Sequence, residues 1–154
     1  MISQTTEYAL RSVLFLADRG GEPQTTKKIA EATKVPIGYL SKVMQSLSRG
    51  DIVNSQRGLH GGFTLTRPAE NMTILEVINA VDPLQRIHSC PLGLSSHGVN
   101  LCPMHKRLDD AMAMVETAFR QSTLAELLAD PNPSKSLCEF PSISKLVSDV
   151  AKKE

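Results

Sequence analysis

Three stretches near the start of the chain carry apolar residues three and four positions apart, the spacing that predicts amphipathic helices. The first is TTEYALRSVLFLADRG, which has Thr5 or Thr6 as a candidate cap and ends at Gly20 and Gly21. The second is TTKKIAEATKVP. Its helix is predicted to end before Pro36, because proline disfavours helix in the preceding residue. The third is PIGYLSKVMQSLSRG, with Pro36 in the first turn, where its missing N–H does no harm.

The third predicted helix has two different faces. Its apolar residues form one stripe, which we expect to face the core: Leu40, Val43, Met44 and Leu47. Its small and polar residues lie on the opposite face: Gly38, Ser41, Lys42, Gln45 and Arg49. Two helices joined by a tight turn, the second with a polar and basic outer face, are typical of a helix-turn-helix.

A β-hairpin is predicted directly after these helices. Two short strands, residues 52–56 and 63–66, are joined by the glycine-rich loop RGLHGG. A hairpin in this position forms the wing of a winged helix-turn-helix. The next stretch, AENMTILEVINAVDP, predicts another helix, with Thr73 and Glu76 at the spacing of a capping box. That helix closes a predicted DNA-binding domain over residues 1–82.

The rest of the chain divides into three predicted parts: a linker over residues 83–102, a single long helix over 103–128 and a Pro- and Ser-rich tail over 129–154. Apolar residues alternate three and four apart along the long helix: Leu101, Met104, Leu108, Ala111, Val115 and Ala118. This is the period of a helix that buries a narrow seam against a partner helix. The predicted fold is therefore mainly α, a winged helix-turn-helix domain with a β-hairpin wing and a long C-terminal dimerisation helix.

The composition is that of an ordinary globular protein, with 41% hydrophobic and 21% charged residues among 154. No apolar run reaches the roughly eighteen residues of a membrane span, and the N-terminus lacks the features of a signal peptide. We therefore expect a cytoplasmic protein that does not insert into membranes. Three cysteines in such a chain favour ligation or redox chemistry over structural disulfides.

Charge is unevenly distributed, although the net charge is only +1. Between positions 27 and 67 seven basic residues oppose two acidic ones, which gives this region a local charge of +5. A basic section of this kind is typical of a protein that binds a polyanion such as DNA. The alternative is an ordinary solvated surface, and charge alone does not distinguish the two.

An α-helix fits the major groove of DNA, where its side chains reach base edges, while basic side chains and helix N-termini contact phosphates. We therefore expect the third helix to contact bases, the start of the second to contact phosphates, and the wing to enter the minor groove. The candidate residues are Tyr39, Ser41, Lys42 and Gln45 on the third helix, Thr26 and Lys27 on the second, and Arg57, His60 and Gly61 on the wing. The wing glycines have a simpler explanation as residues of a hairpin turn.

Candidate metal ligands are concentrated in the stretch HSCPLGLSSHGVNLCPMHKRL, residues 88–108, which holds two of the chain's three cysteines and three of its four histidines. Thiolates and imidazoles suit iron-sulphur clusters and zinc, so Cys90, Cys102 and His105 are candidate ligands. Cys102 also precedes Pro103 at a predicted helix N-terminus, which favours a redox-active thiol pair as an alternative. A third possibility is that both cysteines are merely small buried residues.

A zinc enzyme that uses the same three residues is a further alternative. It would need a nearby general base and a concave substrate pocket, and the short linker offers neither. We therefore do not expect an enzyme.

The chain resembles the Rrf2 family of bacterial transcription regulators, the winged-helix dimers related to IscR and NsrR. The resemblance covers residues 1 to about 128 and rests on three motifs: TTEYALRSVLFLA, IGYLSKVMQSLSRGDIVNSQRGLHGGFTLTRP and TILEVINAVD. It implies a homodimer that binds an imperfect palindrome in double-stranded DNA, with Arg57 in the minor groove. Ser41 stands where one branch of the family has a base-reading acidic residue, so the operator sequence does not follow from the resemblance.

The resemblance also implies an iron-sulphur cluster in the linker. Family members commonly place three cysteines there, sometimes followed by a histidine. Cys90 and Cys102 match the outer two cysteines, His105 matches the histidine, and Ser96 stands at the middle position. In some members a carboxylate from the first helix of the other subunit is the fourth ligand, and Glu7 holds that position here; it is equally a first-turn carboxylate that stabilises its own helix.

Two thiolates with an imidazole and a carboxylate favour a two-iron, two-sulphur cluster over a four-iron, four-sulphur one, with zinc as an alternative. The predicted function is a transcription regulator, expected to be a repressor, that senses redox state, nitric oxide or iron-sulphur status. The alternative is a cluster-free regulator of the same fold, controlled by a thiol switch or a protein partner. No role is predicted for the tail, and Cys138 within it is expected to be a bystander.

Overall fold

The structure, a computed structural model, describes residues 2–58, 60–93 and 100–131. Three helices open it: α1 (Gln4–Asp18), α2 (Thr26–Thr33) and α3 (Ile37–Arg49). Ser3 caps α1, because its hydroxyl accepts the Thr6 N–H at 3.2 Å. Neither Thr5 nor Thr6 is the cap, since both already lie inside the helix. The chain leaves α1 through Gly20 and Gly21, whose φ angles of 61° and 93° favour glycine.

The predicted wing is a two-stranded antiparallel sheet of β1 (Val53–Gln56) and β2 (Gly62–Leu65). Gln24, just before α2, adds a bridge to Phe63 through two backbone hydrogen bonds of 2.8 and 3.0 Å. Gly62 permits this approach, because a Cβ there would lie 2.6 Å from the Gln24 carbonyl oxygen. The base of the wing is thereby joined to the segment that leads into the helix-turn-helix.

After a single 3-10 turn (Ala69–Asn71), α4 (Ile74–Val81) begins with the predicted capping box of Thr73 and Glu76. Burial raises the pKa of Glu76, but hydrogen bonds from the Thr73 N–H and hydroxyl, together with the nearby Arg67, outweigh burial and hold that pKa below its ordinary value. The carboxylate therefore stays ionised and stabilises the start of the helix.

The C-terminal helix is shorter than predicted. α5 (Pro103–Gln121) ends before Ser122, and a separate helix α6 (Leu124–Ala129) follows. Thr123 and Glu126 form a second capping box, which starts the new helix. The chain between the two helices pairs with the segment before α4, because the Leu124 N–H donates to the Met72 carbonyl at 2.9 Å. The prediction of one helix over 103–128 was therefore wrong, and α6 turns back onto the N-terminal domain.

One hydrophobic core unites these elements. It includes all four residues of the predicted inward stripe on α3, and residues from α1, α2, β1, α4 and α6 surround them. The fully buried large side chains are Val13, Ile29, Leu40, Val43, Met44, Leu47, Ile52, Val53, Met72, Val77, Ile78 and Leu124. Since α3 is fixed by its whole apolar stripe, its opposite face is presented as a rigid surface.

Candidate nucleic-acid interface and ligand segment

The outward face of α3 carries the polar residues that the sequence predicts there. Ser41, Lys42 and Gln45 are all exposed. The Ser41 hydroxyl donates to the Ile37 carbonyl at 3.1 Å, so this side chain is partly engaged within its own helix. The longer Lys42 and Gln45 extend from a helix whose other face is buried, which is the arrangement needed to enter a groove of DNA.

Tyr39 connects the start of α3 to α1. Its hydroxyl lies 2.7 Å from the Thr5 hydroxyl, and its ring meets the Tyr8 ring edge-on with 5.5 Å between centroids. The side chain remains 41% exposed. Tyr39 therefore has a structural contact in addition to the base contact predicted for it.

The start of α2 is a second candidate contact. The Thr25 hydroxyl caps the helix by accepting the Lys28 N–H. Thr26 is half-buried, whereas Lys27 is exposed and lies 4.0 Å from the Glu31 carboxylate. A helix N-terminus with adjacent lysines suits a phosphate group.

The tip of the wing presents two further predicted residues, Arg57 and His60, both exposed. Gly61 has a structural reason to be glycine, because a Cβ there would lie 2.4 Å from the Gln56 carbonyl oxygen. Gly58 has a φ of 109°, which also favours glycine. The turn geometry therefore gives both glycines a structural reason, while the DNA contact predicted for Gly61 stays a prediction. Arg57 is the charged side chain of the wing.

The two cysteines of residues 88–108, which we call the ligand segment, are placed differently. Cys90 is buried, with 8% of its surface exposed. Cys102 is half-buried at the N-cap of α5, and its Sγ lies 3.3 Å from the Nδ1 atom of His105. Residues 94–99, and with them Ser96, lie outside the described residues, as does Cys138. Of the predicted ligands, the structure therefore brings Cys102 and His105 into direct contact.

The separation of this pair fits a hydrogen bond and also lies near that of two ligands on one metal. Two ligands of one tetrahedral zinc lie about 3.5 Å apart, given bonds of about 2.3 Å to sulphur and about 2.0 Å to nitrogen. The observed 3.3 Å is close to that separation. Within the three described ranges, no group of three or more His, Cys, Asp or Glu side chains is gathered around one point. The pair thus supplies two donors, and further donors have to come from elsewhere.

Glu7, the predicted fourth ligand, is engaged within its own chain. Its carboxylate pairs with the Arg11 guanidinium one turn further along α1. Arg11 also donates to the Thr33 carbonyl at the end of α2 at 3.3 Å and lies over the Tyr8 ring at 5.9 Å. Opposite charges four positions apart on a helix commonly form an ion pair, so the pair of Glu7 and Arg11 could be predicted from the sequence. Glu7 would have to leave Arg11, or share its oxygens with it, to bind a metal.

An arginine that no sequence motif marks links the linker to α5. Arg86 donates two hydrogen bonds to the Asp109 carboxylate, at 2.7 and 2.8 Å, and a third to Glu116 at 2.9 Å. The Ile87 N–H donates to the same Asp109 carboxylate at 2.9 Å. Hydrogen bonds from Arg86 and then Ile87 hold the pKa of Asp109 well below its usual range, and the two carboxylates hold the pKa of Arg86 above its usual value. We call this group, Arg86 with Asp109 and Glu116, the arginine clasp.

The predicted seam of α5 is exposed. None of the residues of this helix is buried, and its large apolar side chains include Met104 at 61%, Leu108 at 51% and Met114 at 68% exposure. Met104 and Leu108 belong to the predicted seam together with Val115, which is 39% exposed, and exposed large apolar side chains on one side of a helix are typical of an interaction surface. Among the described residues, no helix is long and apolar enough to cross a membrane.

Comparison with known proteins finds one family. A family model described as "Rrf2: Iron-dependent Transcriptional regulator" matches residues 2–130. A relative from Aquifex aeolicus (strain VF5), whose name places it among HTH-type transcriptional regulators, is 28% identical over 131 residues, which cover 83% of this chain and 91% of the relative.

Two solved structures share the fold. T. potens IscR is 20% identical with a TM-score of 0.71, and the match covers 91% of this chain and 93% of that chain. The oxidized form of Staphylococcus aureus CymR is 26% identical with a TM-score of 0.65, and the match covers 87% of this chain and 99% of that chain. The winged-helix fold predicted from the sequence is therefore confirmed.

Proposed function

This chain belongs to the Rrf2 family of DNA-binding transcriptional regulators, and from that premise we propose that it is a homodimeric repressor whose operator affinity is controlled through Cys102 and His105. The observation that carries the proposal is the contact of 3.3 Å between these two side chains, one thiol and one imidazole, at the first turn of α5. A change at this turn acts on the helix that carries the exposed apolar seam.

The DNA contacts follow from exposure and charge. The exposed Lys42 and Gln45 of α3 are proposed to contact base edges, together with Ser41 and Tyr39. Phosphate contacts are assigned to Lys27 and Thr26, whose helix N-terminus attracts anions. The exposed Arg57 suits a narrow minor groove, with His60 and Gly61 beside it.

The homodimer is proposed from the apolar face of α5. Met104, Leu108 and Val115 are between 39% and 61% exposed, and the steps between them of four and then seven residues place them on one side of the helix. If the same faces of two copies packed against each other about a two-fold axis, these side chains would be buried. A dimer of this kind presents two copies of α3, which fits an imperfect palindrome.

In the first form of the proposal, the ligand segment holds an iron-sulphur cluster. The donors would be the Cys90 and Cys102 thiolates, the His105 imidazole and the Glu7 carboxylate of the other subunit. Soft thiolates and imidazole suit iron, and mixed ligation of this kind fits a two-iron, two-sulphur cluster better than a four-iron one, with zinc as the alternative occupant. A bound cluster would supply sensitivity to oxidants, to nitric oxide or to iron supply.

A second form has a specific observation in its favour. Glu7 is paired with Arg11, and Cys102 already has His105 as a neighbour, so the described part of one chain provides a thiol beside a base rather than a complete ligand set. Control would then come from oxidation or modification of Cys102, without a cluster. The relative CymR, which is known in an oxidized form, is consistent with this form.

The two forms can be separated on the full-length protein. Purification under anaerobic and aerobic conditions, with visible spectra and assays for iron, sulphide and zinc, tests for a bound group. In the first form we expect a coloured anaerobic protein with about equal iron and sulphide. Colourless protein that cannot be reconstituted would contradict the cluster and leave the thiol form.

DNA binding is tested separately. Duplexes selected from a random library give an operator, and fluorescence anisotropy measures its affinity for the wild type and for Cys102→Ser. Ser89→Ala, an exposed change in the same linker, is the matched control. Wild-type affinity in Cys102→Ser, under both reducing and oxidising conditions, would refute control through this residue in either form.

A further inference from the structure

We propose that Arg86 is the positioning residue that couples the Cys102–His105 pair to the DNA-binding domain. This inference rests on the proposed function, because it names the path by which the ligand segment acts on α3. The arginine clasp joins the chain just before Cys90 to α5 just after His105, because Arg86 precedes Cys90 and its partner Asp109 follows His105.

The clasp is well placed to hold the segment around Arg86 in a fixed position against α5. The guanidinium makes a bidentate pair with Asp109 and a third bond to Glu116, so its orientation is fixed by two carboxylates two helical turns apart. The three side chains are 27%, 15% and 22% exposed, which limits the screening that weakens surface ion pairs. Arg120 pairs with Glu116 in turn and extends the network along α5.

The clasp and the thiol pair share one face of α5. Cys102, Asp109 and Glu116 follow each other at intervals of seven residues, and His105 lies four residues before Asp109. These intervals place all four on a single side of the helix. A rotation or shift of the first turn of α5 at Cys102 and His105 therefore displaces the Asp109 carboxylate that Arg86 holds.

The other end of the path leads to α3. Arg86 lies five residues after Val81, the last residue of α4, and the Leu84 N–H donates to the Asn79 side chain at 3.4 Å. α4 packs directly against the end of α3, because a Cβ on Gly50 would lie 2.5 Å from the Cβ of Ala80. Displacement of Arg86 is thus transmitted through a short segment and one helix to α3.

The test is a double-mutant cycle on operator affinity in the full-length protein: wild type, Cys102→Ser, Arg86→Gln and the double variant. If Arg86 carries the coupling, Cys102→Ser changes affinity by about fivefold or more in the wild-type background, a typical allosteric coupling. The same change in the Arg86→Gln background is expected to shrink to less than about twofold, because the two residues act through one path.

Two further variants sharpen the cycle. Arg86→Lys retains the charge without the bidentate fork, so we expect part of the coupling to return. Arg107→Gln removes the same charge from an exposed position on α5 and is expected to retain the full effect of Cys102→Ser. If Arg86→Gln does not fold, as judged by circular dichroism, Asp109→Asn removes the same bidentate pair from the other side and takes its place in the cycle.

The possible results separate the two proposals. An equal effect of Cys102→Ser in both backgrounds overturns the role of Arg86 and leaves the proposed function standing. No effect of Cys102→Ser in the wild-type background overturns control through Cys102, and with it the inference. Loss of coupling in Arg107→Gln as well would show a general charge effect and would also overturn the role of Arg86.

Discussion

Shortening Leu124 to alanine tests whether α6 is a structural part of the DNA-binding domain. Leu124 is fully buried and belongs to the same core as Leu40 and Met44 of α3. Its backbone is also tied to the segment before α4, through the Leu124 N–H bond to Met72 and an Ile74 N–H bond to Ser122, each 2.9 Å long. The substitution leaves these backbone bonds in place and removes only side-chain packing.

The expected loss follows from that burial. Leu→Ala removes three carbon atoms from a dry site, which costs about 2.4 kcal/mol at about 0.8 kcal/mol per methylene. The cavity left behind adds a further term, because the surrounding core relaxes only in part, so we expect a total of about 3 to 4 kcal/mol. Leu128 on the same helix is 36% exposed and provides the control; Leu128→Ala should cost about 1 kcal/mol or less.

Urea unfolding followed by circular dichroism at about 222 nm measures both variants against the wild type. All samples need one protein concentration, because the stability of the proposed dimer would depend on it. If Leu124→Ala costs no more than Leu128→Ala, α6 does not belong to the core as described, and the reasoning from its burial fails.

Three further outcomes are expected. Lys42→Ala and Arg57→Ala should each weaken operator binding, and Lys27→Ala should lower the slope of log affinity against log salt by about 0.9, because it loses a phosphate contact; an unchanged affinity in all three would overturn the docking. Gly62→Ala should destabilise the fold in thermal melts, because its Cβ meets the Gln24 backbone, whereas Gly38→Ala, with open space around it, should not. Because Arg86 lowers the pKa of Asp109 in the folded protein, the clasp stabilises the fold above the unfolded pKa of about 4 and loses this contribution as the pH falls further. In urea titrations, Asp109→Asn should therefore lose less stability than the wild type as the pH falls through this range. The same pH dependence in both proteins would contradict the stabilising role of the clasp.

The sequence predicts most of what is local. The apolar stripe of α3, the hairpin and the capping box at Thr73 each depend on residues within a few positions of one another, and each is found in the structure. The break between α5 and α6 could also be predicted from local sequence. Thr123 and Glu126 have the same capping-box spacing as Thr73 and Glu76, but the apolar period runs on across the break and suggested one helix.

What the sequence does not predict depends on contacts between distant positions. Arg86 meets Asp109 and Glu116 across 23 and 30 positions, and no local pattern marks an arginine that finds its partners so far along the chain. The bridge between Gln24 and Phe63 also joins positions far apart in the chain, and it can form only when the wing has folded next to the segment before α2. Such contacts are decided by how the elements pack, whereas helices, turns and caps are decided by neighbouring residues.

α5 is attached to the DNA-binding domain in two different ways, and this difference suggests where control acts. Just after its C-terminal end, Leu124 of α6 is fixed within the core, whereas the middle of α5, at Asp109 and Glu116, is held by the arginine clasp, whose side chains remain partly exposed. A core contact changes only with unfolding, but a hydrogen-bonded clasp can open locally at much lower cost. A chemical change at Cys102 would therefore pivot α5 about its C-terminal end. If two copies pack through the exposed face of α5, as proposed, that pivot changes the separation of the two α3 helices and hence their fit to two half-sites on DNA.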